Sequence, residues 1–241
     1  MKGIILAAGK SSRLYPVTLK KPKCLLELEK GKTIIDFQIE ILKKCGVDDV
    51  IVVVGYLQNE IVGHLGNSVR YRVFEDFDKY NNLHTLYSVK DEFNEDLIIL
   101  YSDVLCTRSL LKRCVDSVED FCLLVHNTSI LINTARVKIK NEGVVDVGNH
   151  ISLDESDGNF IGIAKFSQRG IASLLEAIEQ GIGDVRNDNA YYIMPIRELA
   201  KAMHIGYVLA HHEPWCEIDI LEDYERAKEA IYPRIKALSS L

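Results

Sequence analysis

The 241-residue sequence lacks any long hydrophobic run. No stretch approaches the ~20 consecutive apolar residues that a membrane-spanning helix needs. The apolar segment Gly3 to Gly9 is too short for the hydrophobic region of a signal peptide, and it continues into Lys10 and Arg13 instead of a small-residue cleavage site. The sequence therefore predicts a protein that stays in the cytoplasm without membrane insertion.

Several motifs that mark other classes of site are also missing. The six cysteines contain no C-x-x-C pair, which excludes the common zinc patterns and a small disulfide framework. The histidines form no H-x-x-x-H or H-E-x-x-H arrangement, and no serine lies in a G-x-S-x-G elbow. There is no linker-like, repeated or low-complexity tract, so we expect one domain over residues 1–241.

A broad basic face is lacking as well, because the net charge is −6. Basic residues are concentrated instead at the amino terminus, where the first 32 residues contain eight Lys or Arg and two Glu. Nonspecific nucleic-acid binding needs an extended positive surface, so we expect no nucleic-acid partner. A local cluster of this kind favours a small anion such as a nucleotide.

Short apolar runs rich in β-branched residues alternate with helical patterns. Four runs are typical of strands buried on both faces: Gly3 to Ala7, Val50 to Val54, Leu97 to Tyr101 and Phe121 to His126. Between the first two, Thr33 to Cys45 has helical spacing and stops at Gly46, a typical end signal. This alternation predicts an α/β fold with a doubly wound, mostly parallel, Rossmann-like sheet.

The pattern changes between residues 127 and 166. Short extended pieces separated by turns, such as Arg136 to Lys140 and Val144 to Val147, indicate an antiparallel insertion. We expect this insertion to form a lid or acceptor-binding excursion over the carboxyl edge of the sheet.

The segment directly after the first strand carries the strongest functional signal. It reads LAAGKSSRLYPVTLKKPK from Leu6 to Lys23, and its Ala-Ala-Gly turn lets backbone N–H groups approach an anion. The segment resembles the amino-terminal signature of the nucleotidyltransferases that couple NTPs to sugar 1-phosphates and other small phosphorylated compounds. Matching positions are Gly9, Arg13, Leu14, Pro16, Thr18, Pro22 and Lys23, whereas Ser11 and Ser12 replace a glycine that is common in that family.

This resemblance implies a GT-A-like nucleotidyltransferase fold with Mg²⁺ as cofactor, and it assigns residues to roles. Lys23, Arg13 and Asp103 are the implied catalytic residues. The implied nucleotide-binding residues are Leu6, Ala7, Ala8, Gly9, Lys10, Ser11, Ser12, Arg13, Gly55, Tyr56, Tyr80, Asn81, Asn82 and Ser102. The implied acceptor-binding residues are Lys23, Lys165, Asp188, Tyr191, Trp215 and Glu217.

Two aspartates are the implied metal ligands, and each has a structural alternative. Asp103 follows the strand Leu97 to Tyr101, at the edge where open α/β sheets bind ligands, but a turn or helix-cap aspartate has the same local sequence. Asp219, in the E-I-D segment with Glu217, is either the second metal ligand or the cap of a helix that starts at Leu221.

Other motifs refine the resemblance. Tyr80, Asn81 and Asn82 resemble the Y-N-N segment of the phosphocholine cytidylyltransferase branch, although one Asn also suits a helix cap. Gly55 ends the second strand, where a plain turn is the alternative. Lys165 lies in a segment similar to phosphonate cytidylyltransferases, where a solvated lysine is the alternative.

These signals favour transfer of CMP from CTP to a small phosphorylated acceptor, with release of pyrophosphate. Phosphocholine, 2-aminoethylphosphonate and a phosphorylated amide such as phosphoglutamine are the expected acceptors. A sugar-1-phosphate nucleotidyltransferase and a non-catalytic nucleotide-binding regulatory protein remain alternatives, and a homo-oligomer remains open. A dinucleotide-dependent oxidoreductase is excluded, because Gly9 is not part of a G-x-G-x-x-G sequence.

Overall fold

The structure is a computed structural model that describes residues 1–184 and 189–239. Its strands are β1 (Lys2–Ala7), β2 (Glu27–Glu29), β3 (Lys32–Thr33), β4 (Asp49–Val54), β5 (Arg70–Val73), β6 (Leu97–Tyr101), β7 (Val104–Cys106), β8 (Phe121–His126), β9 (Arg136–Lys140), β10 (Gly143–Gly148), β11 (Gly158–Phe166), β12 (Gly206–Leu209) and β13 (Trp215–Glu217). Its α-helices are α1 (Ile34–Lys44), α2 (Gln58–Leu65), α3 (Asn82–Tyr87), α4 (Arg108–Val115), α5 (Ile171–Ile182), α6 (Ile193–Leu199), α7 (Leu221–Arg226) and α8 (Tyr232–Ser239).

The four strands predicted from apolar runs all form, and they belong to one large sheet. Strands β6, β1, β4 and β5 lie side by side and run parallel. Their side chains are almost entirely buried, except on the edge strand β5, since helices cover both faces of the sheet. The predicted α/β class and doubly wound core are confirmed.

The segment from 127 to 166 extends the same sheet in antiparallel fashion. Strand β11 pairs antiparallel with β6, β8 and β9, and β10 pairs antiparallel with β9. The predicted antiparallel character of this segment is therefore confirmed. Its action as a lid stays a prediction.

Helix α1 begins and ends where its sequence signals place it. The Thr33 hydroxyl accepts the Asp36 N–H, and the Asp36 carboxylate accepts the Thr33 N–H in return, which forms a capping box. Just beyond the last turn, Gly46 has a φ of +88°, a conformation that favours glycine. None of the helices in the described part of the chain is both long and apolar enough to cross a membrane.

A small ladder outside the main sheet brings distant acids together. Strand β13 pairs antiparallel with β7, which places Glu217 opposite Val104. The Ile218 N–H also donates to the Asp103 carbonyl at 3.1 Å. The carboxyl end of β6 and the late segment 217–219 therefore meet through main-chain hydrogen bonds.

Candidate active site

A cleft of about 420 Å³ opens at the carboxyl ends of β1 and β6. This is the edge of a parallel sheet at which α/β proteins bind their ligands. Predicted site residues that line the cleft are Leu6, Ala7, Ala8, Gly9, Lys10, Ser11, Ser12, Arg13, Lys23, Tyr80, Asn81, Asn82, Ser102, Asp103, Tyr191, Glu217 and Asp219. The structure thus gathers most of the predicted residues around one volume.

One wall of the cleft is the N-terminal loop, residues 8–22. Ser11 has a left-handed φ of 51°, so the chain turns sharply at this residue. The buried Thr18 side chain holds this turn, because its hydroxyl donates to the Ser11 carbonyl at 2.9 Å. The loop therefore adopts the turn with a serine at this position.

Three carboxylates lie on the opposite wall. Asp103, Glu217 and Asp219 each present an oxygen, and these oxygens lie within 4.8 Å of one another. Asp103 lies two residues after the end of β6, and its Oδ1 is buried without a hydrogen-bond partner among the described residues. Hard divalent cations such as Mg²⁺ prefer carboxylate oxygens of this kind, so the donor set and the unsatisfied oxygen both fit a metal ion.

The structure rules out the helix-cap interpretation of Asp219. Helix α7 begins at Leu221, and the N–H groups of residues 219 and 220 donate to the carboxylate of Asp223, each at 3.2 Å. Asp223 therefore supplies the cap. The Asp219 carboxylate instead faces the cleft, where it contacts Arg13 and Lys23.

Two cations neutralise this acid group. The Lys23 ammonium donates to Asp103 Oδ2 at 2.6 Å and to the Ile218 carbonyl at 2.8 Å, and it lies 3.3 Å from Asp219 Oδ1. Arg13, whose side chain is 62% exposed, donates to Asp219 Oδ1 at 2.7 Å. Lys23 thus belongs to the acid group as well as to the loop side of the cleft.

Burial and neighbouring charge shift two pKa values here. Burial favours the neutral amine of Lys23, but the Asp103 and Asp219 carboxylates outweigh this effect and raise the Lys23 pKa above its usual value. Burial, followed by the charges of Asp103 and Asp219, raises the pKa of Glu217 to about 8. Without a bound cation, the two aspartates are thus the main negative charges that Lys23 and Arg13 balance.

The Tyr-Asn-Asn segment forms another side of the cleft and also starts a helix. The side-chain oxygen Oδ1 of Asn81 accepts the Asn82 N–H at 2.8 Å, and so caps α3. The Asn82 side chain accepts the Tyr192 N–H at 2.8 Å, which ties the segment to the start of α6. Tyr80 stacks on His84 with 4.3 Å between ring centroids. The capping interpretation is confirmed, and both asparagines also line the cleft, where contact with a nucleotide stays a prediction.

Gly55 and Tyr56 lie behind the N-terminal loop and are absent from the described lining of the cleft. A Cβ at Gly55 would lie 2.9 Å from the Ala8 carbonyl and 2.8 Å from the Phe77 ring, so the glycine permits close backbone approach. Tyr56 donates its N–H to the Ala8 carbonyl at 3.0 Å. Both residues support the loop from outside.

Two predicted acceptor residues lie outside the lining of the cleft, and a third is not among the described residues. The Lys165 ammonium is buried, and it donates to the carbonyls of Ser117 at 2.9 Å and Glu119 at 2.8 Å, away from the cleft. Trp215 is buried on β13, and the centroid of its ring lies 5.3 Å from that of His126. Both residues line a neighbouring cavity instead of the cleft. Asp188 lies outside the described residues. The structure thus gives Lys165 a structural role, in contrast to the expected acceptor contact.

Some lining residues carried no recognisable sequence signal. Phe77 lies beneath the Lys10 ammonium at 5.6 Å, and Thr85 on α3 also borders the cleft. A smaller cavity of about 140 Å³ adjoins the acid group, and its lining includes Asn133, Asn149 and Phe160 from the antiparallel insertion. Apart from Thr85, these residues come from irregular or antiparallel segments, where no motif relates sequence position to the cleft.

Comparisons with known proteins agree with this geometry. Residues 3–187 match the family described as the MobA-like NTP transferase domain. The chain is 43% identical to a choline-phosphate cytidylyltransferase of Streptococcus pneumoniae over 96% of its own length and 98% of the relative. It is 29% identical to a CTP:phosphoglutamine cytidylyltransferase of Campylobacter jejuni over 93% of this chain and 98% of the relative.

More distant relatives and solved structures share the same fold. A bifunctional sugar-1-phosphate nucleotidylyltransferase/acetyltransferase of Sulfurisphaera tokodaii is 26% identical over 91% of this chain and 54% of the relative. A solved CTP:phosphocholine cytidylyltransferase from S. pneumoniae superimposes with a TM-score of 0.82, with 23% identity over 95% of this chain and 97% of the other. The similarity extends over nearly the whole length of this chain.

Proposed function

The chain belongs to the MobA-like NTP transferase family of nucleotidyltransferases, and from this premise we propose that it transfers CMP from CTP to a small phosphorylated acceptor and releases pyrophosphate. The cytidylyltransferases of S. pneumoniae and C. jejuni, which align over almost their whole length, support CTP as the donor. The acceptors for which these two enzymes are named, phosphoglutamine and choline phosphate, support a phosphorylated small molecule as the acceptor.

One observation carries the proposal. The N-terminal loop, with its small residues, lines the same cleft as the carboxylates of Asp103, Glu217 and Asp219, and its Arg13 side chain donates to Asp219. A nucleoside triphosphate needs both features, because backbone N–H groups and cations bind its phosphates while carboxylates hold its divalent cation.

Asp103 and Asp219 are the proposed metal ligands. These two carboxylates would hold a Mg²⁺ ion, which would neutralise negative charge on the phosphate oxygens of the donor. Glu217 lies beside both aspartates, and we assign it to orientation of the ligands or of the acceptor.

The remaining steps need positioning and charge more than acid–base chemistry. A phosphate monoester has a second pKa of ~6, so the acceptor is already largely a dianion at neutral pH and can attack the α-phosphorus in line without a strong base. Lys23, within reach of both aspartates, is placed to hold the acceptor phosphate near that phosphorus. Arg13 is exposed on the loop and is placed to neutralise the departing pyrophosphate.

The acceptor body has a candidate pocket next to the acid group. The cavity of about 140 Å³ is lined by Tyr101, Phe160, Tyr191, Asn133 and Asn149, together with Glu217 and Asp219. Its aromatic rings, amides and carboxylates suit a compact amine or amide head group. Because several of these residues lie between 127 and 166, we propose that the antiparallel insertion is the acceptor-binding excursion of a single domain over residues 1–241.

The proposal is tested by measuring pyrophosphate release with Mg²⁺, each of four NTPs and a panel of acceptors. The panel contains phosphocholine, 2-aminoethylphosphonate, a phosphorylated amide and glucose 1-phosphate. We expect release that requires CTP together with one of the first three acceptors, and its loss in Asp103→Asn. Preferred use of the sugar phosphate would establish the alternative sugar-nucleotide activity, and no release with any pair would contradict catalysis.

A further inference from the structure

The N-terminal loop is long, and its two limbs must stay together for its backbone to face a nucleotide. It leaves the sheet at Ala8 and reaches Lys23 after a series of tight turns. Inside the loop, the Thr18 hydroxyl joins the second limb to the Ser11 carbonyl of the first limb. Contacts from outside the loop decide where this unit lies relative to the sheet.

Tyr56 contacts both limbs from outside. Its main-chain N–H donates to the Ala8 carbonyl at 3.0 Å, where the first limb begins. Its hydroxyl donates to the Leu19 carbonyl at 2.9 Å and lies 3.3 Å from the Thr18 carbonyl, on the second limb. A single residue after β4 therefore spans the loop from its start to the segment that precedes Lys20 and Lys21.

Two neighbours fix the position of Tyr56 itself. Gly55 lets the chain approach so closely that a Cβ would lie 2.9 Å from the Ala8 carbonyl. The Tyr56 ring packs edge-on against Phe77, with centroids 6.3 Å apart, and Phe77 in turn borders the cleft. The hydroxyl is thus held at the loop by a short, packed connection to the main sheet.

We propose that Tyr56 is a positioning residue that keeps the N-terminal loop in its nucleotide-binding shape through its hydroxyl. The proposal rests on the proposed function, because it assumes that this loop binds the donor. Preorganised donors cost less free energy to order when the anion binds than donors on a mobile loop. Removal of the hydroxyl is therefore expected to weaken nucleotide binding although Tyr56 lies outside the cleft lining.

The decisive variant is Tyr56→Phe, which deletes only the hydroxyl and leaves the ring against Phe77. Its matched control is Tyr71→Phe, since the Tyr71 hydroxyl also donates to a carbonyl, that of Gly66, at 2.6 Å, and Gly66 follows the C-terminal end of α2 and is not part of the loop. Loss of one such hydrogen bond corresponds to roughly fivefold in an equilibrium constant. We expect the KM for CTP to rise about fivefold in Tyr56→Phe, with the acceptor KM changed less than twofold.

Amide hydrogen exchange of the nucleotide-free protein gives a second readout that does not depend on catalysis. We expect exchange in residues 9–19 to become about fivefold faster in Tyr56→Phe, and to remain unchanged in Tyr71→Phe. Unaltered loop exchange together with a CTP KM within twofold of the wild type would overturn the proposal. The proposal would also be overturned if Tyr56→Phe raised the KM for CTP and the KM for the acceptor equally and Tyr71→Phe had the same effect, because the hydroxyl would then contribute only to general stability.

The failure of the proposed function has a different signature. If the wild-type protein released no pyrophosphate from any NTP, the donor assignment would fail, whereas the exchange measurement would still test the contact between Tyr56 and the loop. A second variant, Thr18→Val, removes the internal hydrogen bond to Ser11. Both hydroxyls act on one loop, so their effects are expected to be coupled. The fold change in the KM for CTP of the double variant is therefore expected to differ from the product of the fold changes of the two single variants.

Discussion

Replacement of Lys23 by methionine gives the sharpest prediction for the acid group. The Lys23 ammonium lies 2.6 Å from Asp103 and 3.3 Å from Asp219, which are the oxygens proposed to hold the cation. Unit charges 4 Å apart interact by about 4 kcal/mol at an effective dielectric constant of ~20, so a cation that enters this group meets strong competition from the amine. Even a third of that energy corresponds to roughly tenfold in affinity.

Lys23→Met is therefore expected to bind Mn²⁺ about tenfold more tightly than the wild type in the absence of nucleotide. At saturating metal and CTP, the same variant is expected to lose on the order of 10² to 10³ in turnover, because it lacks the cation that holds the acceptor phosphate. The opposite directions of the two effects separate a direct role at the acids from general damage to the fold.

The signal of free Mn²⁺ in electron paramagnetic resonance measures the metal affinity. Lys20→Met is the control, because Lys20 is an exposed cation on the same loop that does not line the cleft. We expect its Mn²⁺ affinity to remain within twofold of the wild type. Weaker or unchanged Mn²⁺ binding in Lys23→Met would refute the reasoning.

Three further outcomes follow from other residues. Asp103→Asn removes a proposed metal ligand, so turnover is expected to fall by about 10² to 10³, measured as pyrophosphate release. Lys165→Met removes two buried hydrogen bonds, so the free energy of unfolding is expected to fall by about 1–3 kcal/mol in urea titrations while the acceptor KM stays constant. Hydrogen bonds from Arg70, and then from Lys2, lower the pKa of Glu92 to about 2. The resulting stability is present above the usual glutamate pKa and is lost as the pH falls toward about 2. In Glu92→Gln, the melting temperature is therefore expected to fall less steeply than in the wild type as the pH is lowered through this range.

Local sequence was sufficient for elements whose signals are local. The apolar run of β1, the glycine turn after it and the acid after β6 each follow from adjacent residues and from the rule that ligands bind at the carboxyl edge. The same holds for α1, since Thr33 and Gly46 delimit it in the sequence and in the structure. These features predicted the fold class and the location of the cleft.

Contacts between segments that are distant in the chain could not be predicted from the local sequence. Lys23 was assigned to the acceptor from the motif, but its contact with the two aspartates depends on residues 80 and 196 positions away in the chain. Lys165 was wrongly expected at the site, because a lysine within an apolar strand gives no sign that backbone carbonyls will receive its ammonium in the interior. The strands β7 and β13 have three residues each, too short for any periodicity to predict their pairing.

The pairing of β7 with β13 has a consequence for the order in which the enzyme becomes competent. Arg13 and Asp219 are 206 residues apart, yet they both line the cleft and share one hydrogen bond. During synthesis from the amino terminus, the N-terminal loop is made first, and Asp219 is made long afterwards. The proposed cation site is thus incomplete until segment 217–219 has emerged and paired with β7, which ties the onset of chemistry to a late stage of folding.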